Sequence, residues 1–189
     1  MYKIAIQKKG RLTEQSLKYL RSIGIKVPKN GREMIARSDD LEILFLRQTD
    51  IPEFVEKGIV DFGIVGENAV AEKRYKVRVV EKLGFARCSL KIVVPRESSA
   101  KSVKDLNGER IATSFPNLLK DFLKKNKVNA SIIEVKGSVE VTPAMGLTDA
   151  VCDLVQTGKT LEENNLVPLV TVLESQAVLI SNPNSKWPF

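Results

Sequence analysis

A chain of 189 residues, 43% apolar and 28% charged, can bury one sizeable core or two small ones and has the composition of an ordinary globular protein. Its net charge of +7 comes from Lys and Arg scattered among the acids, without the basic, aromatic-studded ribbons that stack bases, so nucleic acid is not expected as a partner. The absence of histidine excludes histidine acid–base chemistry, histidine metal ligands and a Ser-His-Asp triad.

No apolar run approaches the ~20 residues that span a bilayer, and Met1-Tyr2-Lys3-Ile4 is too short and charged to open a signal peptide. The expectation is a cytoplasmic protein that does not engage membranes. Cys88 and Cys152 sit in apolar strand-like runs, which favours two buried reduced thiols over a disulfide.

Lys3 to Ile6 reads as a first buried strand and Gln7 to Arg11 as the loop after it. A helix follows from a cap near Thr13, apolar at Leu17, Leu20 and Ile23, and stops at Gly24. Leu41 to Leu46 is a second strand, running into Arg47-Gln48-Thr49-Asp50, with Asp50 placed to cap a helix that Gly58 ends. Val60 to Gly66 reads as strand and glycine turn, Glu67-Asn68 opens another helix, and Val77 to Val80 is a further short strand.

Beyond Leu83-Gly84-Phe85, Ser89 to Val94 is strand-like, Ser102 to Asn107 a short capped helix and Arg110 to Thr113 a strand. Leu118 to Lys125 is an amphipathic helix and Ser131 to Val135 a strand, and Gly137-Ser138-Val139-Glu140 is expected to lead into a helix ending near Asp149. Leu169 to Leu173 and Gln176 to Ile180 complete the strands. Strand and helix alternate at βαβ spacing, which predicts an α/β protein with mostly parallel sheets covered on both faces.

The stretch Asp153-Leu154-Val155-Gln156-Thr157-Gly158-Lys159-Thr160-Leu161 carries the most chemistry. It reads as strand, tight loop and helix start, where free backbone N–H groups, a permissive Gly158 and the hydroxyls of Thr157 and Thr160 suit a phosphate. A plain helix start, with Thr160 as cap and Glu163 completing a capping box, accounts for the same residues. Gly158-Lys159-Thr160 imitates the end of a Walker A loop, but the glycine that motif needs five residues earlier is Asp153 here. Glu140, Asp149 and Asp153 lie close in sequence to this loop, and an ionised Asp153 inside an apolar strand needs a hydroxyl, a cation or a metal as partner. A salt bridge to one of the many Lys and Arg serves equally. Lys9, Arg11 and Arg47 follow the ends of two strands and could converge, with Thr113, Ser114 and Asn117 as further polar donors, or be solvated surface.

Gly137-Ser138-Val139-Glu140-Val141-Thr142-Pro143 followed by Gly146 to Leu161 resembles the signature of the ATP phosphoribosyltransferase family, which opens histidine biosynthesis. Gln7-Lys8-Lys9-Gly10-Arg11-Leu12, Asp50-Ile51-Pro52 with Val60 to Gly66, and Arg110 to Asn117 match in family order, so the likeness spans roughly residues 3 to 181. It implies Mg²⁺-dependent transfer of the phosphoribosyl group of phosphoribosyl pyrophosphate to N1 of ATP, releasing pyrophosphate. It also implies two α/β lobes like type II periplasmic binding proteins with an active site between them: residues 1–86 plus 169–189 on the ATP side and 87–168 on the phosphoribosyl pyrophosphate side.

Carried over by position, Thr157, Gly158, Lys159 and Thr160 would hold the 5′-phosphate of the donor, and Asp153 with Asp149 would face its ribose hydroxyls. Glu140 would stand nearby, and Lys9, Arg11, Arg47 and Thr113 would serve ATP or pyrophosphate, the metal arriving on the pyrophosphate. The N-terminal motif departs from the family's usual Pro-Lys-Gly-Arg, which leaves Lys8 and Lys9 unseparated in role. Long members continue into a histidine-binding regulatory domain, for which this chain, ending at Trp187-Pro188-Phe189, has no counterpart. It thus resembles short members that self-associate and work with a separate regulatory subunit related to histidyl-tRNA synthetase, or an isolated catalytic core. The competing class is a bilobed small-anion-binding protein without catalysis.

Overall fold

The first strand, β1 (Tyr2–Gln7), pairs in parallel with β3 (Leu41–Leu46) from Tyr2 opposite Leu41 to Gln7 opposite Leu46. Its alternation sends Ile4 and Ile6 to one face and Ala5 to the other, and all three are fully buried. The computed structural model describes residues 1–27, 35–38 and 41–188, except the side chains of Arg11 and Ser38. The chain divides into two compact units, Met1–Arg87 with Gln176–Phe189, and Cys88–Ser175.

In unit 1 the sheet adds β2 (Ile35–Ser38), β4 (Phe62–Gly66), β5 (Arg78–Lys82) and β11 (Ala177–Ser181) in the order β2-β3-β1-β4-β11-β5. One face, with Ile4, Ile6, Ile43 and Phe45, packs under α1 (Arg11–Ser22) through Leu12 and Leu20. The other, with Ala5, Val65, Val178 and Ile180, packs under α2 (Ile51–Glu56) through Ile51 and Val55. A third helix, α3 (Glu67–Lys73), follows β4 directly, and Trp187 closes on Phe62 edge-on at 4.7 Å between ring centroids.

In unit 2 the strands are β6 (Cys88–Pro95), β7 (Arg110–Thr113), β8 (Ser131–Glu134), β9 (Ala150–Val155) and β10 (Leu166–Ser175), in the order β10-β6-β9-β7-β8. Leu90, Ile92, Ile111 and Cys152 pack under α4 (Pro116–Asn126), while Val93, Ala112, Val139 and Val151 form the opposite layer with Leu161 of α5 (Lys159–Glu163). Neither cysteine is in a disulfide; Cys152 is buried as expected, whereas Cys88, at the start of β6, is only half-buried.

Several expectations are corrected. The sheets are mixed: β1 with β3 and β4, and β7 with β8 and β9, pair in parallel, while the remaining pairs are antiparallel. Strand β2 was not foreseen, and β10 and β11 follow each other with only Gln176 between them, each in a different sheet. The return to unit 1 comes at Gln176 rather than at residue 169, because β10 runs antiparallel to β6 from Leu166 opposite Pro95 to Ser175 opposite Cys88. No long helix precedes β9; one 3-10 turn, Val139–Val141, is entered by a left-handed Ser138, and the chain then turns through Pro143 and a left-handed Gly146. The first helix opens at Arg11 behind Gly10, whose φ of 116° only glycine adopts freely, so Thr13 is inside it rather than its cap.

At Gly63 of β4 helix α2 lies close against the sheet: a Cβ there would stand 2.6 Å from Ile51 Cγ2 and 3.1 Å from Val55 Cγ2. Gly63→Ala is expected to lower stability by about 1–3 kcal/mol through overpacking, read as a lower urea midpoint with an unchanged m-value.

Candidate active site

Strand β9 is the middle strand of its sheet, and Ala150, Val151 and Cys152 are at most 1% exposed. The strand then emerges: Asp153, Leu154 and Val155 are half-buried, and the loop Gln156-Thr157-Gly158 leads into α5. Asp153 shares a face with Val151 and Val155, the face on which Val139 and Leu161 pack. A cavity of about 260 Å³ opens there, lined by Glu140, Asp153, Thr157, Gly158 and Thr160 over a floor that includes Val151 and Leu161.

Glu140 reaches the cavity because its turn is pinned on both sides. Val139 is 2% exposed in the core, and the Thr142 hydroxyl, 2.7 Å from the Val139 carbonyl oxygen and 2.7 Å from the Thr148 hydroxyl, ties the turn to the segment before β9. Burial raises the Asp153 carboxyl above its ordinary value, the Leu154 N–H at 2.8 Å opposes this, and the nearby Glu140 charge adds to it.

The loop is left open for a ligand. Gly158, in the left-handed region at φ 80°, caps α5, so Thr160 is not the cap, and Glu163 stands 3.8 Å from Lys159 rather than closing a box. Among the described residues, the hydroxyls of Thr157 and Thr160 and the amides of Thr157, Gly158, Lys159 and Thr160 make no hydrogen bond within the protein. Lys159 projects into solvent with 80% of its side chain exposed.

Two expected members are elsewhere. Asp149 precedes β9, and four residues of strand separate it from Asp153 by on the order of 13 Å. There it holds Arg110 in a two-pronged pair, Oδ1 to Nη2 and Oδ2 to Nε both at 2.9 Å, and accepts the Arg110 backbone N–H. Those hydrogen bonds and that charge bring its carboxyl down to about 2. Thr113 is fully buried; its hydroxyl donates to the Cys152 carbonyl at 2.7 Å and accepts the Phe115 N–H at 2.9 Å, so it has no capacity for a ligand.

Unit 1 carries the expected cations. Lys9 and Arg47 line one cavity of about 430 Å³ with Gln7, Lys8, Gln48 and Thr49, because the loops after β1 and β3 leave adjacent parallel strands at the same level, joined by the Lys8 N–H to Leu46 carbonyl bond at 2.9 Å. Arg11 opens α1, but its side chain lies outside the described residues. Sequence reasoning missed Gln156 as a lining residue and Lys91, which stands opposite Asp153 on β6 and, among the described residues, forms no ion pair with it. Cross-strand register is the only signal for Lys91, and it is not local in sequence.

The two mixed α/β sheets, the second entered from the first and left again for β11, give the fold of type II periplasmic binding proteins. Over 96% of its length the chain superposes on the alkanesulfonate-binding protein SsuA from Xanthomonas axonopodis pv. citri, with a TM-score of 0.57, 18% identity and 65% of that chain covered. A closer likeness is to the ATP phosphoribosyl transferase (HisG:HisZ) complex from Thermotoga maritima, with a TM-score of 0.81, 29% identity, and 97% of this chain and 88% of that one covered. In sequence, residues 47–187 match the family HisG, ATP phosphoribosyltransferase. A relative of that name from Cytophaga hutchinsonii is 46% identical over 96% of this chain. The chain belongs to the ATP phosphoribosyltransferase family. It spans 64% of the length of the Cytophaga relative and 66% of one from Bacteroides thetaiotaomicron. Among the described residues no helix is long and apolar enough to cross a membrane.

The carboxyls of Asp149 and Asp153 should respond to pH in opposite senses. The Asp149 carboxyl is depressed below 3.8, so its stabilising contribution is present above that value and is lost as pH falls toward about 2. Asp149→Asn should therefore lower the urea midpoint at neutral pH, with the deficit closing in acid. The Asp153 carboxyl is raised above 3.8, so its ionised form costs stability as pH rises through that range, and Asp153→Asn should raise the midpoint at neutral pH. Urea unfolding of wild type and both variants across the acid-to-neutral range checks both signs.

Proposed function

We propose that the chain catalyses ATP phosphoribosyl transfer: N1 of ATP displaces pyrophosphate from the anomeric carbon of phosphoribosyl pyrophosphate, the first step of histidine biosynthesis. The observation that carries this reading is the unit 2 cavity, where unbonded amides and hydroxyls at Thr157 to Thr160 adjoin two carboxylates, Glu140 and Asp153. The loop groups would take the 5′-phosphate and Asp153 the ribose hydroxyls. Neither Asp149 nor Thr113 is assigned to a substrate, since each is committed within the fold.

The reaction needs no protein nucleophile, because pyrophosphate is already a good leaving group. What the protein supplies is orientation and field. Positive charge grows on the ribose ring as the bond to pyrophosphate lengthens, and the half-buried Asp153 and Glu140 carboxylates stabilise it where water is partly excluded. Lys9 and Arg47, and Arg11 by its place in the motif, would hold the triphosphate or the departing pyrophosphate. A pair of carboxylates with substrate phosphates is a donor set that suits Mg²⁺, and Glu140 and Asp153 would hold it. When bound, the ion neutralises charge on the leaving group.

We also propose a separate regulatory partner related to histidyl-tRNA synthetase and self-association of this chain. Support for the partner comes from the Thermotoga chain, which was solved in a HisG:HisZ complex. The greater length of the curated relatives favours a second arrangement, regulation by further residues of the same polypeptide.

Purified protein with ATP, phosphoribosyl pyrophosphate and Mg²⁺ should form N1-phosphoribosyl-ATP, followed by its near-ultraviolet absorbance, alone or with the partner added. Asp153→Asn and Thr157→Val should each reduce turnover by about 10²–10³-fold with cooperative unfolding retained. Near-normal rates in both would refute the site assignment. Absence of product under every condition, with no thermal shift from phosphoribosyl pyrophosphate, would refute the enzymatic reading.

A further inference from the structure

Thr113 is the last residue of β7 and stands beside Cys152 in the parallel ladder, while β9 runs on to Val155 without a β7 neighbour. At that point the Thr113 side chain takes over from the backbone. Its hydroxyl donates to the Cys152 carbonyl oxygen, which belongs to the same peptide group as the Asp153 amide. The Thr113 hydroxyl oxygen in turn accepts the Phe115 N–H, fixing the turn that leaves β7, and the Ser114 hydroxyl anchors that turn again on the Val135 carbonyl at 2.5 Å. Among the described residues, the Asp153 carboxyl accepts one hydrogen bond, from the N–H of its own neighbour Leu154.

We propose that Thr113 is a positioning residue for Asp153: its buried hydroxyl clamps the peptide before Asp153 and so sets the height at which that carboxylate enters the unit 2 cavity. The proposal rests on the reading of Asp153 as the ribose-facing carboxylate. Thr113 itself touches no substrate. A threonine serves because its methyl group fills the core while its hydroxyl both donates and accepts. Valine keeps the shape and loses both bonds, and serine keeps both bonds and loses the methyl group.

The test compares wild type, Thr113→Val and Thr113→Ser in the phosphoribosyl-transfer assay, with Thr113→Ala in place of valine if that variant does not fold. Thr113→Val should lower kcat/KM for phosphoribosyl pyrophosphate by about 10- to 100-fold, as a misplacement of about an ångström does, with KM for ATP unchanged within about twofold. Thr113→Ser should recover most of the loss. Equal impairment of the valine and serine variants, a parallel rise in KM for ATP, or no effect of valine would overturn the proposal. Backbone amide ¹H–¹⁵N shifts of Asp153 and Leu154 in the free protein separate this from failure of the enzymatic reading: valine should displace both signals and serine should leave them in place, whether or not product forms. Unmoved Asp153 and Leu154 amide signals in the valine variant overturn the clamp even if activity falls.

Discussion

Strand β9 passes from complete burial to the open within six residues, and the unit 2 site depends on that passage. Its first half is held between β6 and β7 and covered on both faces, so its course is set by packing that tolerates little displacement. Its second half inherits that course but loses its cover, which gives Asp153 a rigid base and a face partly shielded from water. The shielding that raises the Asp153 carboxyl also strengthens its charge toward a developing cation, because the same lowered dielectric governs both. Val139 and Leu161 pack on the same layer, so the turn bearing Glu140 and the helix behind the loop are fixed to one foundation.

Unit 1 reaches its cluster of cations by a different route. There the determinant is register: Gln7 lies opposite Leu46, so the loops following β1 and β3 begin side by side. Lys9 and Arg47, remote in sequence, line one cavity. Exposed cations beside a strand end are adaptable and strongly hydrated, suited to a polyanion that brings its own charge. The carboxylates of unit 2 are few, constrained and partly dry, suited to a transient positive charge.

Much of this was legible in the sequence because it is local. The runs Leu41 to Leu46, Arg110 to Thr113 and Ser131 to Glu134 are β-branched or apolar segments of strand length, and they are strands. The loop from Thr157 to Thr160 announced itself through a glycine between two hydroxyl residues after an apolar run, and it lines the cavity. What was not legible depends on partners distant in the chain. Asp149 and Asp153 look alike in a row of residues, yet Arg110 engages the first and not the second. Thr113 reads as an exposed donor at a strand end until β9 is laid beside it. The helix expected before β9 failed because Pro143 and a left-handed Gly146 interrupt an otherwise helix-compatible run. Strand order and pairing sense were equally out of reach, since β11 inserts between β4 and β5 from the far end of the chain.

The polar residues that hold the fold differ in their hydrogen bonds from those that remain available for chemistry. Thr113, Thr142, Thr148 and Asp149 all have their polar atoms committed, and each is where a segment must be fixed. Thr157, Thr160 and the amides around Gly158 are uncommitted and solvent-accessible, which costs the free protein little because water serves them. Asp153 belongs to neither group: it is half-buried, accepts a single N–H, has a second carboxylate for a neighbour and has no ion pair among the described residues. A fold selected for stability alone would place an apolar residue there, since Val151 and Val155 occupy the same face. Retaining a carboxylate at that position is understandable if its missing partners arrive with the ligand, and the hydroxyls of a ribose are partners of the right kind.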